Sequence, residues 1–325
     1  MNLSRRLITS LLLGILASAA NAQSTWPSKV VTLVAPTAPG SDGDIIVRTV
    51  AQKMSQLLNA SVIVDNKAGA GGTLGVAYTS RASADGHIAV ITGTGPFILT
   101  PLLNKKLAYD MEKNLEPISI MSTFASAVVV SADSPYKTLR ELIAAAKAQP
   151  GKLSFASSGG GTLVHLQGEL LKIRAGIDML HVPYKSQSPA LQGVIAQETA
   201  VMIMPSASAQ ALIDSGKLRA LAVTSDKRMK SLPNVPTMAE AGVPDFVVKG
   251  WYGAYAPGGT PKALTQRFSA EMRRALHTPE VVARFNSLSM DVVGSTPEEM
   301  LATWKADTAI WAQVLKANPQ IKIDQ

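Results

Sequence analysis

The chain has 325 residues, 46% hydrophobic and 17% charged, with a formal charge of +8 and no cysteine. Such a composition excludes disorder and provides for two packed domains. The missing cysteine excludes disulfides, thiol chemistry and an acylated lipoprotein N-terminus. Lysines and arginines are scattered instead of clustered, which argues against a nucleic-acid partner.

Read in chain order, the first signal is a leader. Arg5 and Arg6 precede an apolar run over 7–19, and Ala20-Asn21-Ala22 supplies a small-x-small cleavage site. A secretory signal peptide over 1–22 is therefore expected, too short to span a bilayer, which needs about 20 apolar residues. Its removal takes two positive charges and no acid, leaving +6 on a soluble chain destined for the periplasm.

Beyond it, β-rich runs at 29–35, 61–65, 87–92, 152–157, 179–184, 199–204 and 218–223 alternate with helical stretches. Most are continuous apolar runs, as expected for parallel strands covered on both faces. Thr138-Leu139-Arg140-Glu141 is a capping-box pattern, and the helix after it stops at Pro150-Gly151. Ser188-Pro189, Thr260-Pro261, Thr278-Pro279 and Thr296-Pro297 each place an N-cap hydroxyl before a proline. Met300, Trp304, Trp311 and Leu315 then recur at helical spacing as a packing stripe. No linker separates the two expected α/β domains, so the chain is expected to cross between them twice. Extended segments near 121–127 and 249–251 are the candidate crossings. They divide the mature chain into a discontinuous domain, 23–124 plus 250–325, and a second domain, 125–249.

Three glycine- and hydroxyl-rich loops each follow a strand and open a helix: 36–44, 69–75 and 157–162. A helix N-terminus leaves backbone N–H groups free and carries about half a positive charge. Glycine lets an anion approach that backbone, and Ser or Thr adds a donor. Such loops hold a carboxylate or phosphate without a charged side chain. The 69–75 loop reads equally well as a close-packed turn.

Catalytic patterns are mostly missing. There is no Gly-x-Ser-x-Gly elbow, no His-Glu-x-x-His, no P-loop and no His/Asp/Glu cluster with metal-ligand spacing, so no metal or cofactor is expected. Of the four histidines, His87, His181 and His277 read as structural. His165, three residues after Thr162, either orients its loop or touches a ligand.

The order of several segments adds to this reading. Gly40-Ser41-Asp42-Gly43-Asp44, Asp85-Gly86-His87, Ser157-Ser158-Gly159-Gly160-Gly161-Thr162, His181-Val182-Pro183-Tyr184-Lys185, Val235-Pro236-Thr237-Met238 and Trp251-Tyr252-Gly253-Ala254-Tyr255 are distinctive. Together they resemble the Bug/TctC family, the extracytoplasmic solute receptors of tripartite tricarboxylate transporters. The resemblance implies a periplasmic-binding-protein (Venus-flytrap) fold, with two parallel or mixed-sheet α/β domains joined by strand-like hinges. It also implies capture of a carboxylated solute for membrane permease subunits. Gly40, Ser41 and Asp44 match its first loop, with Asp44 as the N-cap shaping that loop. Ser157, Ser158, Gly161, Thr162 and His165 match the second loop, and Tyr184 and Lys185 its Tyr-Lys motif. Thr37, Ala38 and Thr94 complete the candidate ligand contacts, together with Met204. Departures from the family pattern are Ser41, Ser186, Thr100-Pro101 and, within 196–204, Ala200 and Met204 in place of two acids. If Met204 lines the pocket, the site favours an aromatic or aliphatic acid; otherwise the two residues repack the core.

The expected role is a monomeric receptor for a di-, tricarboxylate or aromatic acid, not an enzyme. The alternatives are a periplasmic α/β enzyme acting on a carboxylic acid, with Ser158 and His165 as its one nominated pair, and a sensor feeding a signalling system.

Overall fold

The computed structural model describes residues 26–104, 106–319 and 321; the expected leader at 1–22 lies outside them. In chain order the elements are β1 (Val31–Ala35), α1 (Asp42–Leu58), β2 (Val62–Asn66), α2 (Thr73–Ser80), β3 (Ile88–Gly93), α3 (Thr100–Leu103), α4 (Met111–Asn114) and β4 (Leu115–Ser131). They continue as α5 (Leu139–Ala148), β5 (Ser154–Ser157), α6 (Leu163–Ala175), β6 (Leu180–Pro183), α7 (Gln187–Ile195), β7 (Val201–Pro205), α8 (Ser206–Asp214) and β8 (Leu218–Val223). β9 (Lys249–Pro257), α9 (Lys262–Leu276), α10 (Pro279–Ser287), β10 (Asp291–Val292) and α11 (Pro297–Ala317) complete the chain.

All seven apolar runs form strands. Parallel pairing joins β1 to β2 and β3, and β5 to β6 and β7. Of the longest strand, sequence reading placed only the extended segment near 121–127: β4 runs 17 residues and is antiparallel to every partner. Its first part, up to Ala125, pairs with β9, whereas Ser126 to Ser131 pair with β7 and β8. One group of strands is thus ordered β2-β1-β3-β9-β4 and the other continues β4-β7-β5-β6, with β8 also on β4 and β10 against its first part.

The chain returns beside this strand. Thr224, buried, accepts the Ser126 N–H on its hydroxyl at 2.9 Å and donates to the Val248 carbonyl at 2.6 Å. One side chain thereby ties the outgoing strand to the returning one.

Helix starts follow local chemistry. Thr138 and Thr296 form capping boxes with Glu141 and Glu299, and Thr278 precedes Pro279 at the start of α10. Two boundaries shift: α7 begins at Gln187, placing Ser188 inside it, and α9 begins after Pro261 rather than at it. The α11 stripe is packing surface, with Met300, Trp304 and Trp311 buried and Leu315 packed against the same core. Trp304 Nε1 donates to the Phe97 carbonyl at 2.9 Å, and α11 also touches α6 on the other side of β4.

Candidate functional site

The carboxyl ends of β1, β3, β5 and β7 converge on one cleft, the place where ligands bind in open α/β sheets. A cavity of about 580 Å³ lies there. From the β1–β3 side it is lined by Pro36, Thr37, Ala38, the Gly69–Gly72 turn and Thr92 to Pro96; from the β5–β7 side, by Ser158, Thr162, Leu163, Val164 and Pro205. Phe124 of β4 and Tyr252 of β9 close its end.

The first wall depends on close packing. A Cβ on Gly75 would stand 2.6 Å from the Pro36 Cβ, so only glycine lets α2 and its preceding turn press against the β1 loop. Thr37 Oγ1 is buried without a hydrogen-bond partner among the described residues. Thr94 Oγ1 accepts the Trp251 N–H at 3.1 Å, joining the ends of β3 and β9.

Behind Thr37, the 40–44 loop is braced internally. Ser41, not Asp44, is the N-cap of α1: its hydroxyl accepts the Asp44 N–H. The Asp44 carboxylate instead accepts the Gly40 N–H at 2.9 Å, Arg48 Nε at 2.8 Å and Asn66 Nδ2 at 2.8 Å. The Arg48 guanidinium, with the Gly40 N–H and Asn66 amide, outweighs burial and holds this carboxyl down at about 2. Asp44 therefore ties the loop by reaching back to it from the first turn of α1, and not as its N-cap. Gly40, Ser41 and Asp44 are not part of the cavity wall.

The second loop is braced in the same way. Thr162 caps α6, accepting the His165 N–H at 3.3 Å and donating to the Gly159 carbonyl at 2.9 Å. His165 Nδ1 accepts the Gly161 N–H at 3.0 Å, so that amide is occupied. The His165 ring stacks on His181 with centroids 3.6 Å apart, and His181 Nε2 meets Ser157 Oγ at 2.6 Å. Burial pushes the nearby Glu169 carboxyl up, but the His165 ring and the Lys172 ammonium outweigh it and keep it below its usual range.

These placements divide the expected ligand contacts. Thr37, Ala38, Thr94, Ser158 and Thr162 come together on the cavity wall. Ser157 and His165 are buried behind the loop, and Gly161 serves it from within; they are supports instead of contacts. Tyr184 lays its ring over Gly193 and directs its hydroxyl to Glu198, while Lys185 is exposed beyond it; neither lines the cavity. Met204 is fully buried among Ala127, Met202 and Val223, because alternation along β7 turns it into the core. The expectation that it softens the pocket is corrected: it fills the interior. Phe124, Pro205 and Tyr252 were missed, since they arrive on the crossing strands and after β7 and not on a glycine loop. The extended segments near 121–127 and 249–251 were the available signal.

Among the described residues, no lysine, arginine, histidine or carboxylate lines the cavity. No group of three His, Cys, Asp or Glu among the described residues is arranged to hold a metal. The one pair nominated for catalysis does not fit that role, because His165 is committed to the Gly161 amide and the His181 ring. What remains is a neutral cleft lined by Thr37, Thr94, Ser158 and Thr162, two aromatic rings and the start of α6, with the Thr37 hydroxyl buried and those of Thr94 and Thr162 bonded to the protein.

The architecture and sequence have clear relatives. A protein in the tcbD-tcbE intergenic region of Pseudomonas sp. (strain P51) is 37% identical over 96% of this chain and 93% of its own. The periplasmic binding protein BugD superposes with a TM-score of 0.73 at 32% identity, covering 91% of this chain and all of BugD. R. palustris Rpa4515, solved with adipate, gives a TM-score of 0.75 at 28% identity over 90% and 97% of the two chains. MatC from Rhodopseudomonas palustris, solved with malate, gives 0.73 at 28% over 89% and 100%. The fold is that of these periplasmic binding proteins, and receptors of this kind bind solutes rather than transform them. Residues 46–318 match the model of the tripartite tricarboxylate transporter family receptors, and the chain belongs to that family, TctC.

Proposed function

We propose that the chain is a periplasmic receptor that captures a small organic carboxylate in the cleft and delivers it to membrane permease subunits. Residues 125–249 act as one lobe; 23–124 with 250–325 act as the other. They close about β4 and the Thr224 tie, with α11 spanning the boundary. The observation that carries this reading is the convergence of Thr37 and Thr94 from one side and Ser158 and Thr162 from the other, with the α6 N-terminus, on a cleft that no carboxylate among the described residues lines. The adipate of Rpa4515 and the malate of MatC support the same ligand chemistry. Closure would follow from contacts that the ligand completes only when both walls reach it.

Thermal melts against dicarboxylates, tricarboxylates, aromatic acids and neutral sugars test it. A ligand at a hundred times its dissociation constant adds about 2.7 kcal/mol, worth roughly 5 °C in a chain of this size. The expected result is a shift with a class of acids that are recovered unconsumed. Stabilisation by sugars alone, or by no acid, refutes it.

A further inference from the structure

The cleft does not end at its aromatic wall. A second cavity, of about 510 Å³, is lined by the same Phe124, Pro205 and Tyr252. It continues to Gln187 at the start of α7, Ser208 in the first turn of α8, and Leu288 and Met290 beyond α10. The Phe124 and Tyr252 rings stand 6.0 Å apart at 47°. Phe124 keeps its place over Gly250, where a Cβ would come within 2.1 Å of the ring. Two chambers thus share one aromatic partition, and among the described residues neither is lined by a charged side chain.

We infer that the ligand is an elongated acid with a single carboxylate, whose aromatic or aliphatic body runs past Phe124 and Tyr252 into the second chamber. This rests on the reading that the cleft captures a carboxylate. The head belongs at Thr37, Thr94, Ser158 and Thr162, beside the N-terminus of α6. A second carboxylate at the far end would stand against Leu288 and Met290, and the starts of α7 and α8 reach it only through Gln187 and Ser208, so an acid group gains less there than an apolar body does. An apolar body meets Phe124, Tyr252, Leu288 and Met290 instead, and each buried methylene tightens binding about fourfold. The Ala200 and Met204 substitutions do not enter this argument, since Met204 is in the core.

The test is calorimetric titration of the purified chain with butanoate, hexanoate, octanoate and 4-phenylbutanoate, against succinate, adipate and suberate as length-matched diacids. The expected result is affinity rising about fourfold per methylene along the straight-chain monoacids, with these three each binding at least tenfold tighter than the matching diacid. Phe124→Ala should flatten the series, and Phe124→Leu, closer in volume, should flatten it partly. The wild-type series decides the matter even if Phe124→Ala folds poorly. Diacids binding as tightly as monoacids, or a flat series, overturn the inference while leaving carboxylate capture standing. Binding of no acid overturns both.

Discussion

Replacing Thr224 with valine removes one hydroxyl from the tie between the crossing strands and changes little else. The side chain is fully buried, and valine matches its shape. The Ser126 N–H at 2.9 Å and the Val248 carbonyl at 2.6 Å both lose their partner. Water does not reach them, so each buried group left unpaired costs about 1–3 kcal/mol. The carbonyl keeps a second lone pair, which places the total at about 2–4 kcal/mol. In a chain of this size that lowers the melting temperature by roughly 4–8 °C. Thr224→Ser retains the hydroxyl and should stay within about 1 kcal/mol of wild type, the worth of one methyl. Thermal and urea unfolding of the three proteins are the assay. If valine lies within about 0.5 kcal/mol of wild type, or serine destabilises as much as valine, the hydroxyl is not what holds the strands together.

Asp44→Asn should cost about 1 kcal/mol at pH 7, discounted because Arg48 is half exposed. The folded carboxyl titrates at about 2, below its unfolded value, so its contribution is complete above about pH 4 and fades as pH falls through about 2. The gap in melting temperature between wild type and variant should accordingly narrow from pH 4 downward; an equal gap at pH 7 and pH 2.5 contradicts the bracing assigned to this group. Thr162→Ala and Thr138→Ala each remove an N-cap hydroxyl and should each cost about 1 kcal/mol in denaturant unfolding. Only Thr162→Ala should also weaken acid binding in a titration, and equal effects would take Thr162 out of the site. Met204→Leu conserves volume in the core, so stability should hold within about 1.5 kcal/mol and affinity should not change; a marked change in affinity would return Met204 to the pocket.

Strand–helix alternation was legible because β1, β3, β5 and β7 are short apolar runs between turns. β4 was legible only near 121–127, although it is the longest strand. Pro117, Ser119, Ser122 and Ser126 interrupt its apolar pattern, yet the three serines are buried. Ser119 Oγ donates to the Ile120 carbonyl, so a polar letter sits inside at little cost once the backbone satisfies it. The register also shifts between Pro117 and Ser119 and again between Ile120 and Ser122, so strict alternation fails where the strand bends. For the site, the hydroxyl-rich loops before helices supplied Thr37, Ser158 and Thr162, which the fold brings to the cavity wall. Which amides in those loops remain free was hidden, because Asp44 takes the Gly40 N–H and His165 takes the Gly161 N–H through side chains several positions away. Phe124 and Tyr252 meet only because β4 and β9 pair, a relation between residues 128 positions apart.

The placement of charge explains why those amides are occupied. Asp44, Arg48 and Asn66 stand behind one loop; His165, His181, Glu169 and Lys172 stand behind the other. Both sets fix the backbone from outside the cleft and keep ionised groups off its walls. A lysine or arginine in the wall would hold any anion in an open cleft, with half the contacts made. Neutral hydroxyls and a helix end are weaker, and one wall alone offsets little of the water that a carboxylate gives up. On the proposed function the second wall would have to arrive before binding is favourable, so that capture and closure would become one event. In that arrangement the ionic bracing would let a neutral cleft discriminate: loops that sagged around each solute would replace its water whatever its shape.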